Sequence, residues 1–219
     1  MGAELAAVLF DMDGTLLDSE KVWTVALEDL VRWLGGALSE SAREGMIGSS
    51  LERSIAIVHE DLGIDADPRA SGAFLTERTA ELFRTELEWR AGAPELLEAV
   101  RRAGIPSVLV TSTSRELTEI ALDFIGRERF VATVCGDEVA RPKPAPDPYL
   151  AAAARVPADA RACVAVEDSV LGLSSALAAG CAVLVAPCEV PIAPGPGYAV
   201  VDSLAGVGVA DLAALLPGA

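Results

Sequence analysis

The run Ala6-Ala7-Val8-Leu9-Phe10, followed at once by Asp11-Met12-Asp13-Gly14, constrains this chain more than any other feature. An unbroken apolar stretch of this length, closed by turn residues, predicts a strand buried on both faces, as parallel strands are, rather than an alternating edge strand. A strand rises ~3.3 Å per residue and its side chains alternate, so Asp11 and Asp13 would share a side, ~6–7 Å apart at Cα. Gly14 lets the chain turn and lets backbone approach a ligand closely. Two carboxylates converging on the end of a buried strand repel one another unless a cation or a proton lies between them.

Beyond that turn the pattern changes. From residue 19 to residue 90 it has helical periodicity (Val22, Ala26, Leu30, Trp33 and Leu34; Leu51, Ile55, Val58 and Leu62; Phe74, Leu75, Leu82 and Phe83). Gly35-Gly36, Gly45, Gly48 and Asp65-Ala66-Asp67-Pro68 divide this block into about four helices. From residue 91 onward strands and helices alternate. Strands are expected at 107–110, 131–135, 162–166, 182–185 and 198–201, with helices at 94–103, 116–125, 147–155, 170–179 and 210–215. Alternation of this kind predicts an α/β fold with a doubly wound parallel sheet. The expected organisation is an α/β catalytic core of 1–18 and 91–219, with an all-helical cap of 19–90 inserted after the first strand.

Composition narrows the partners. Acidic residues number 33 against 17 basic ones, a net charge of −16. That argues against nucleic acid, whose phosphates demand a basic face, and against an anionic membrane surface. No stretch approaches ~18 uninterrupted apolar residues, so no membrane span is expected. The leading residues include Glu4 and lack a basic region, and the four cysteines lack metal-type pairing. Reduced, buried thiols in a cytoplasmic protein, a monomer or weak dimer, are the expectation.

In a doubly wound sheet, ligands bind beyond the carboxyl ends of the strands, and the remaining polar motifs stand at such ends. Thr111-Ser112-Thr113-Ser114 follows Val108-Leu109-Val110 and opens a helix. Hydroxyls there cap orphan N–H groups, and the same N–H groups suit phosphate. Lys143 lies in Arg141-Pro142-Lys143-Pro144-Ala145-Pro146-Asp147, one of only two lysines among 15 arginines. Flanking prolines predict a stiff extended segment that aims its ammonium. Glu167-Asp168 follows Val164-Ala165-Val166 and precedes Ser169-Val170-Leu171-Gly172. With Asp11 and Asp13 this makes four acids at strand ends, a cluster that calls for a divalent cation.

Asp11-Met12-Asp13-Gly14-Thr15-Leu16, Thr111, Lys143-Pro-x-Pro-Asp-x-Tyr149 and Glu167-Asp168-Ser169-x-x-Gly172, in this order and over the whole chain, resemble the four motifs of the haloacid dehalogenase-like (HAD) superfamily. The resemblance implies a Mg²⁺-dependent phosphatase acting on a small phosphorylated, sugar phosphate-like metabolite. It implies Asp11 as nucleophile forming an aspartyl-phosphate, Asp13 as general acid and base, and Lys143 as the charge that neutralises the nucleophile and the phosphoryl group. Thr111, the Ser112 N–H, Lys143 and Gly14 would bind the phosphate, with Thr113 an alternative to Thr111. The metal would be held by the Asp11 carboxylate, the Asp13 carbonyl and Asp168, with Glu167 assisting. The cap would exclude water, and substrate choice is expected among Trp23, Met46, Leu51, Arg53, Ser114 and Arg115.

The rival within the family is a β-phosphoglucomutase-like sugar phosphomutase. Such mutases resemble one another in a histidine five residues after the Asp-Ser/Thr acid and in a cap arginine three residues after a glycine. Counting from Asp18, Trp23 stands in the histidine's place, and Leu51 stands three residues after Gly48. An indole is no general base and a leucine cannot bind a phosphate dianion, so the phosphatase is favoured.

Overall fold

The computed structural model describes residues 4–46 and 51–218. The chain divides into two compact units. One joins the residues up to Asp18 with those from Glu88 onward, and the other is the continuous stretch Ser19–Leu87.

The continuous unit is helical: α1 (Glu20–Trp33), α2 (Glu40–Met46), α3 (Leu51–Leu62) and α4 (Pro68–Phe83). Val22, Ala26 and Leu30 of α1 recur every fourth residue and are buried, as are Ile55 and Val58 of α3 and Leu75 and Phe83 of α4. Asp67 starts α4 by accepting from the Arg69 N–H at 3.0 Å, and Pro68 occupies the first turn, where no N–H is missed. Trp33 departs from the periodic reading. It is 54% exposed and stacks on Phe74, ring centroids 5.1 Å apart, while Val31 takes the buried position. Gly48, expected as a break in this block, lies outside the described residues.

The other unit is built on six strands: β1 (Ala7–Phe10), β2 (Ser107–Val110), β3 (Ala132–Val134), β4 (Cys163–Glu167), β5 (Ala182–Val185) and β6 (Tyr198–Val200). They form one sheet in the order β3-β2-β1-β4-β5-β6, every neighbouring pair parallel. Between them run α5 (Ala93–Arg102), α6 (Arg115–Ile125), α7 (Asp147–Arg155) and α8 (Val170–Ala179), with α9 (Val209–Ala213) last. This is the doubly wound α/β fold. All four residues of β1, β2 and β5 are buried, which is why they read as continuous apolar runs. β3 and the last helix end short of their expected bounds, whereas β4 runs one residue further, to Glu167. Val131 is 64% exposed and drops out of edge strand β3, and the last helix closes at Ala213.

The register sets the site. Phe10 pairs with Leu109 on one side and with Val166 on the other. One residue further on, Asp11 is therefore level with Val110 and Glu167 on strands ~4.8 Å away. Strand order reverses between β1 and β4, the switch point where such sheets open a crevice. Among the described residues no helix is long and apolar enough to cross a membrane.

Candidate active site

Asp11 leaves the sheet with its N–H still donating to Val166 O at 3.0 Å, so its position is that of a strand residue. Its carboxylate is buried. One oxygen, Oδ1, accepts from Lys143 Nζ at 2.6 Å, while Oδ2 is buried with no hydrogen-bond partner among the described residues. The turn that follows is tight: the Leu16 and Leu17 N–H groups both donate to Met12 O, and Gly14 N–H donates to Leu17 O. Gly14 has φ +73, and a Cβ there would stand 2.2 Å from Asp168 Oδ2. Glycine is required on both counts, left-handed backbone and room for the Asp168 carboxylate.

Lys143 is the hub. Besides Asp11 its ammonium donates to Glu167 Oε1 at 2.6 Å and to Val110 O at 3.0 Å, and it lies 5.2 Å from the Tyr149 ring centroid. The segment that carries it is not extended as expected. Pro142–Ala145 is a turn closed by Ala145 N–H on Pro142 O at 2.9 Å, with a cis Lys143–Pro144 peptide. Burial disfavours the ammonium, but the Asp11 and Glu167 carboxylates outweigh it and hold Lys143 well above its ordinary range. Burial, offset only in part by Lys143, pushes Asp11 up to about 7.

Glu167 is fully buried and bonded on both oxygens. Oε1 accepts from Lys143 and from Tyr149 Oη at 2.5 Å; Oε2 accepts from Asp168 N–H at 3.2 Å and Ser169 Oγ at 3.3 Å. Gly172, one turn into α8, makes room: a Cβ there would fall 1.9–2.0 Å from all three heavy atoms of the Glu167 carboxylate. Ser169 caps α8 by accepting from Gly172 N–H at 3.0 Å. Asp168 is buried and accepts from Thr15 Oγ1 at 3.4 Å.

Asp13 turns to other partners than Asp11 does. Its Oδ2 accepts from Thr111 Oγ1 at 3.2 Å and from Thr113 Oγ1 at 2.7 Å. The choice between the two threonines is thus no choice at this carboxylate: both hydroxyls converge on it. Thr111 Oγ1 also accepts from the Thr113 N–H at 3.0 Å. Ser112 between them is exposed.

Oxygen atoms of Asp11, Glu167 and Asp168 lie within 4.8 Å of one another, close enough to share one cation. The residues fit a hard divalent ion. The donors are all oxygen, they lie beside a single ammonium, and Asp11 Oδ2 is a buried acceptor without a donor. Glu167, with four donors already on it, is the least available of the three.

Some of this was missed in the sequence. Tyr149 carried a signal: a phenol at an apolar helix face needs a partner once buried. Gly14 reads as a turn that admits close approach and Gly172 as part of the Glu167-Asp168-Ser169-x-x-Gly172 motif, but which carboxylate each one makes room for, Asp168 and Glu167, emerges only from the packing.

A model of the haloacid dehalogenase-like hydrolases matches residues 5–180. The chain belongs to that family, on its phosphatase branch, and is a phosphoric monoester hydrolase. It is 31% identical over 210 residues to protein CbbY of Rhodobacter capsulatus, covering 85% of this chain and 87% of that one. It is 33% identical over 198 residues to hexitol phosphatase A of Escherichia coli (strain K12), covering 84% of each. Among solved structures, a mutant of CbbY from Rhodobacter sphaeroides in complex with xylulose-(1,5)bisphosphate superposes with a TM-score of 0.84 at 29% identity, covering 95% of this chain and 99% of that one.

Proposed function

We propose that this hydrolase releases phosphate from a small phosphorylated sugar-like metabolite by way of an aspartyl-phosphate on Asp11. One observation carries the reading: a buried carboxylate at the end of β1, with one oxygen on Lys143 and the other without a donor among the described residues. Such a group is poised beside positive charge, as a nucleophile toward an anionic ester must be.

The Asp11 carboxylate attacks phosphorus, and the bond to the ester oxygen breaks. Asp13 gives a proton to the leaving alcohol, then takes one from the water that hydrolyses the aspartyl-phosphate. Thr111 and Thr113, both bonded to Asp13 Oδ2, hold the plane of that carboxyl through the two transfers. Lys143 stands against Asp11 and offsets the charge that accumulates on the phosphoryl oxygens. Asp11, Asp168 and the Asp13 carbonyl would hold Mg²⁺, with Glu167 assisting, and that ion supplies further charge neutralisation to the ester. Glu167 chiefly anchors Lys143. We assign the helical unit to the cap of the family pattern and to substrate choice.

Names among the relatives, a hexitol phosphatase and CbbY with a bound pentulose bisphosphate, support a phosphorylated polyol or sugar as substrate. Hydrolysis is favoured over phosphoryl shuttling by Trp23, half-buried and edge-on to Phe83 at 6.2 Å, where the mutases resemble one another in a histidine. The test is a panel of phosphorylated metabolites, hexose 1-phosphates included, assayed for inorganic phosphate with and without Mg²⁺. Accumulation of a 6-phosphate isomer, stimulated by bisphosphate and without phosphate release, would replace the phosphatase by a mutase.

A further inference from the structure

Arg115 opens α6 directly after the loop that carries Thr111 and Thr113, a place where an arginine would be expected to meet the substrate. Its donors are spoken for. Nε donates to Glu138 Oε1 at 2.9 Å and Nη2 to Glu138 Oε2 at 2.8 Å and Thr133 O at 3.4 Å. Nη1 donates to Glu119 Oε1 at 3.0 Å and Thr133 Oγ1 at 2.5 Å. A guanidinium has five N–H donors, and five acceptors surround this one, so its fork has nothing left for a ligand.

What the fork holds leads back to Asp13. Glu138 ends the short turn Gly136–Glu138 at the carboxyl end of β3. That turn is fastened to the start of α6 twice, by Arg115 N–H on Asp137 Oδ1 at 3.0 Å and by the bidentate Arg115–Glu138 pair. Glu138 Oε2 also accepts from Cys135 N–H at 3.0 Å. At its other end, Gly136 N–H donates to Thr113 O at 3.0 Å, and a Cβ on Gly136 would fall 2.1 Å from Ser112 O. The Thr113 hydroxyl in turn donates to Asp13 Oδ2 at 2.7 Å. Arg115 keeps Glu138 below the usual carboxylate range, so the pair stays charged.

We propose that Arg115, paired with Glu138, is a positioning residue: it fixes the turn Gly136–Glu138, the turn fixes Thr113, and Thr113 orients the Asp13 carboxyl for proton transfer. A half-exposed ion pair contributes little to stability by itself, but a misplacement of ~1 Å at a proton-transfer group can cost ~10²-fold in rate. The pair matters for geometry more than for folding.

The inference rests on the aspartyl-phosphate reading, and a double-mutant cycle on the full chain separates the two. With a phosphate ester that the wild type hydrolyses and saturating Mg²⁺, Arg115→Met should lower kcat roughly 10–100-fold and leave KM within about 3-fold. Thr113→Val should lower kcat comparably. The double variant should match Thr113→Val alone, since both changes cut the same chain of contacts. Glu138→Gln, which keeps the turn's acceptor for Cys135 N–H, should reproduce the kcat loss and stands in where Arg115→Met does not fold. Multiplying effects in the double variant, or a change confined to KM, overturns the positioning role. Undiminished turnover of Asp11→Asn instead overturns the mechanism itself, whatever the cycle gives.

Discussion

Alanine at position 172 would set two opposed effects against each other. Gly172 lies inside α8 with no left-handed backbone to protect, and alanine in a helix is favoured over glycine by about 0.8–1.0 kcal/mol. Against this, the new methyl would stand 1.9–2.0 Å from the whole Glu167 carboxylate. That carboxylate must move, and the bonds it receives from Lys143 at 2.6 Å and Tyr149 at 2.5 Å are the ones at stake. Hydrogen bonds to a charged group contribute about 1.5–3 kcal/mol each, so losing both costs about 3–6 kcal/mol. Net of the helix gain, Gly172→Ala should destabilise by about 2–5 kcal/mol. In urea, with a slope of about 2 kcal/mol/M, the midpoint should fall by roughly 1–2.5 M at unchanged slope. Phosphate release should fall with it, because Lys143 loses one of its two carboxylates. Gly72→Ala is the control. It is also helical, its Cβ would meet Ile55 Cδ1 at an ordinary 3.7 Å, and it should stabilise by up to about 1 kcal/mol. A midpoint for Gly172→Ala at or above that of the wild type would refute the packing of Glu167 against α8.

Asp11→Asn should cut kcat by more than roughly 10³-fold with an unaltered circular dichroism spectrum, since it removes the nucleophile and keeps the shape. Mg²⁺ should raise the melting temperature and exhaustive chelation should abolish phosphate release; Asp168→Ala should weaken the thermal response to Mg²⁺ more than Glu167→Ala, whereas Glu167→Ala should cost more stability without metal. Tyr149→Phe removes one bond to a buried charge and should lower unfolding free energy by about 1.5–3 kcal/mol in the same urea assay. Thr79, buried in the helical unit with its hydroxyl unpartnered among the described residues, should be replaced by valine with a stability gain of about 1 kcal/mol.

The inner strands of the sheet were legible because they are covered on both sides. Ala182–Val185 and Ser107–Val110 read as apolar runs, and those runs are the strands found. Their ends were less legible where an edge strand is half exposed, as in β3. The acids and Lys143 were legible as residue types at strand ends, but their pairings were not. That Glu167 serves Lys143 and Tyr149, and that Arg115 is saturated by its own protein, follow from which strands are neighbours and in what register. Local pattern carries no information on that. Trp33 misled because a helical period counts an aromatic as core, while here a stacked partner on the surface suffices.

The strand order described above also dictates when the site can come into being. Lys143 and Asp11 are 132 residues apart along the chain, and Thr15 and Asp168 are 153 apart. Bringing such distant segments together requires loop closure before any contact repays it, which slows folding in proportion to how non-local the contacts are. As the chain leaves the ribosome, β1 must wait with its carboxylate unpaired while the whole helical unit, one uninterrupted stretch, is synthesised and can fold. Only when β4 docks beside β1 do Asp11, Lys143 and Glu167 meet. No fragment ending before Asp168 can hold the full cluster, so the chain acquires its chemistry only when β4 joins β1, with β5 and β6 still to be added beyond it.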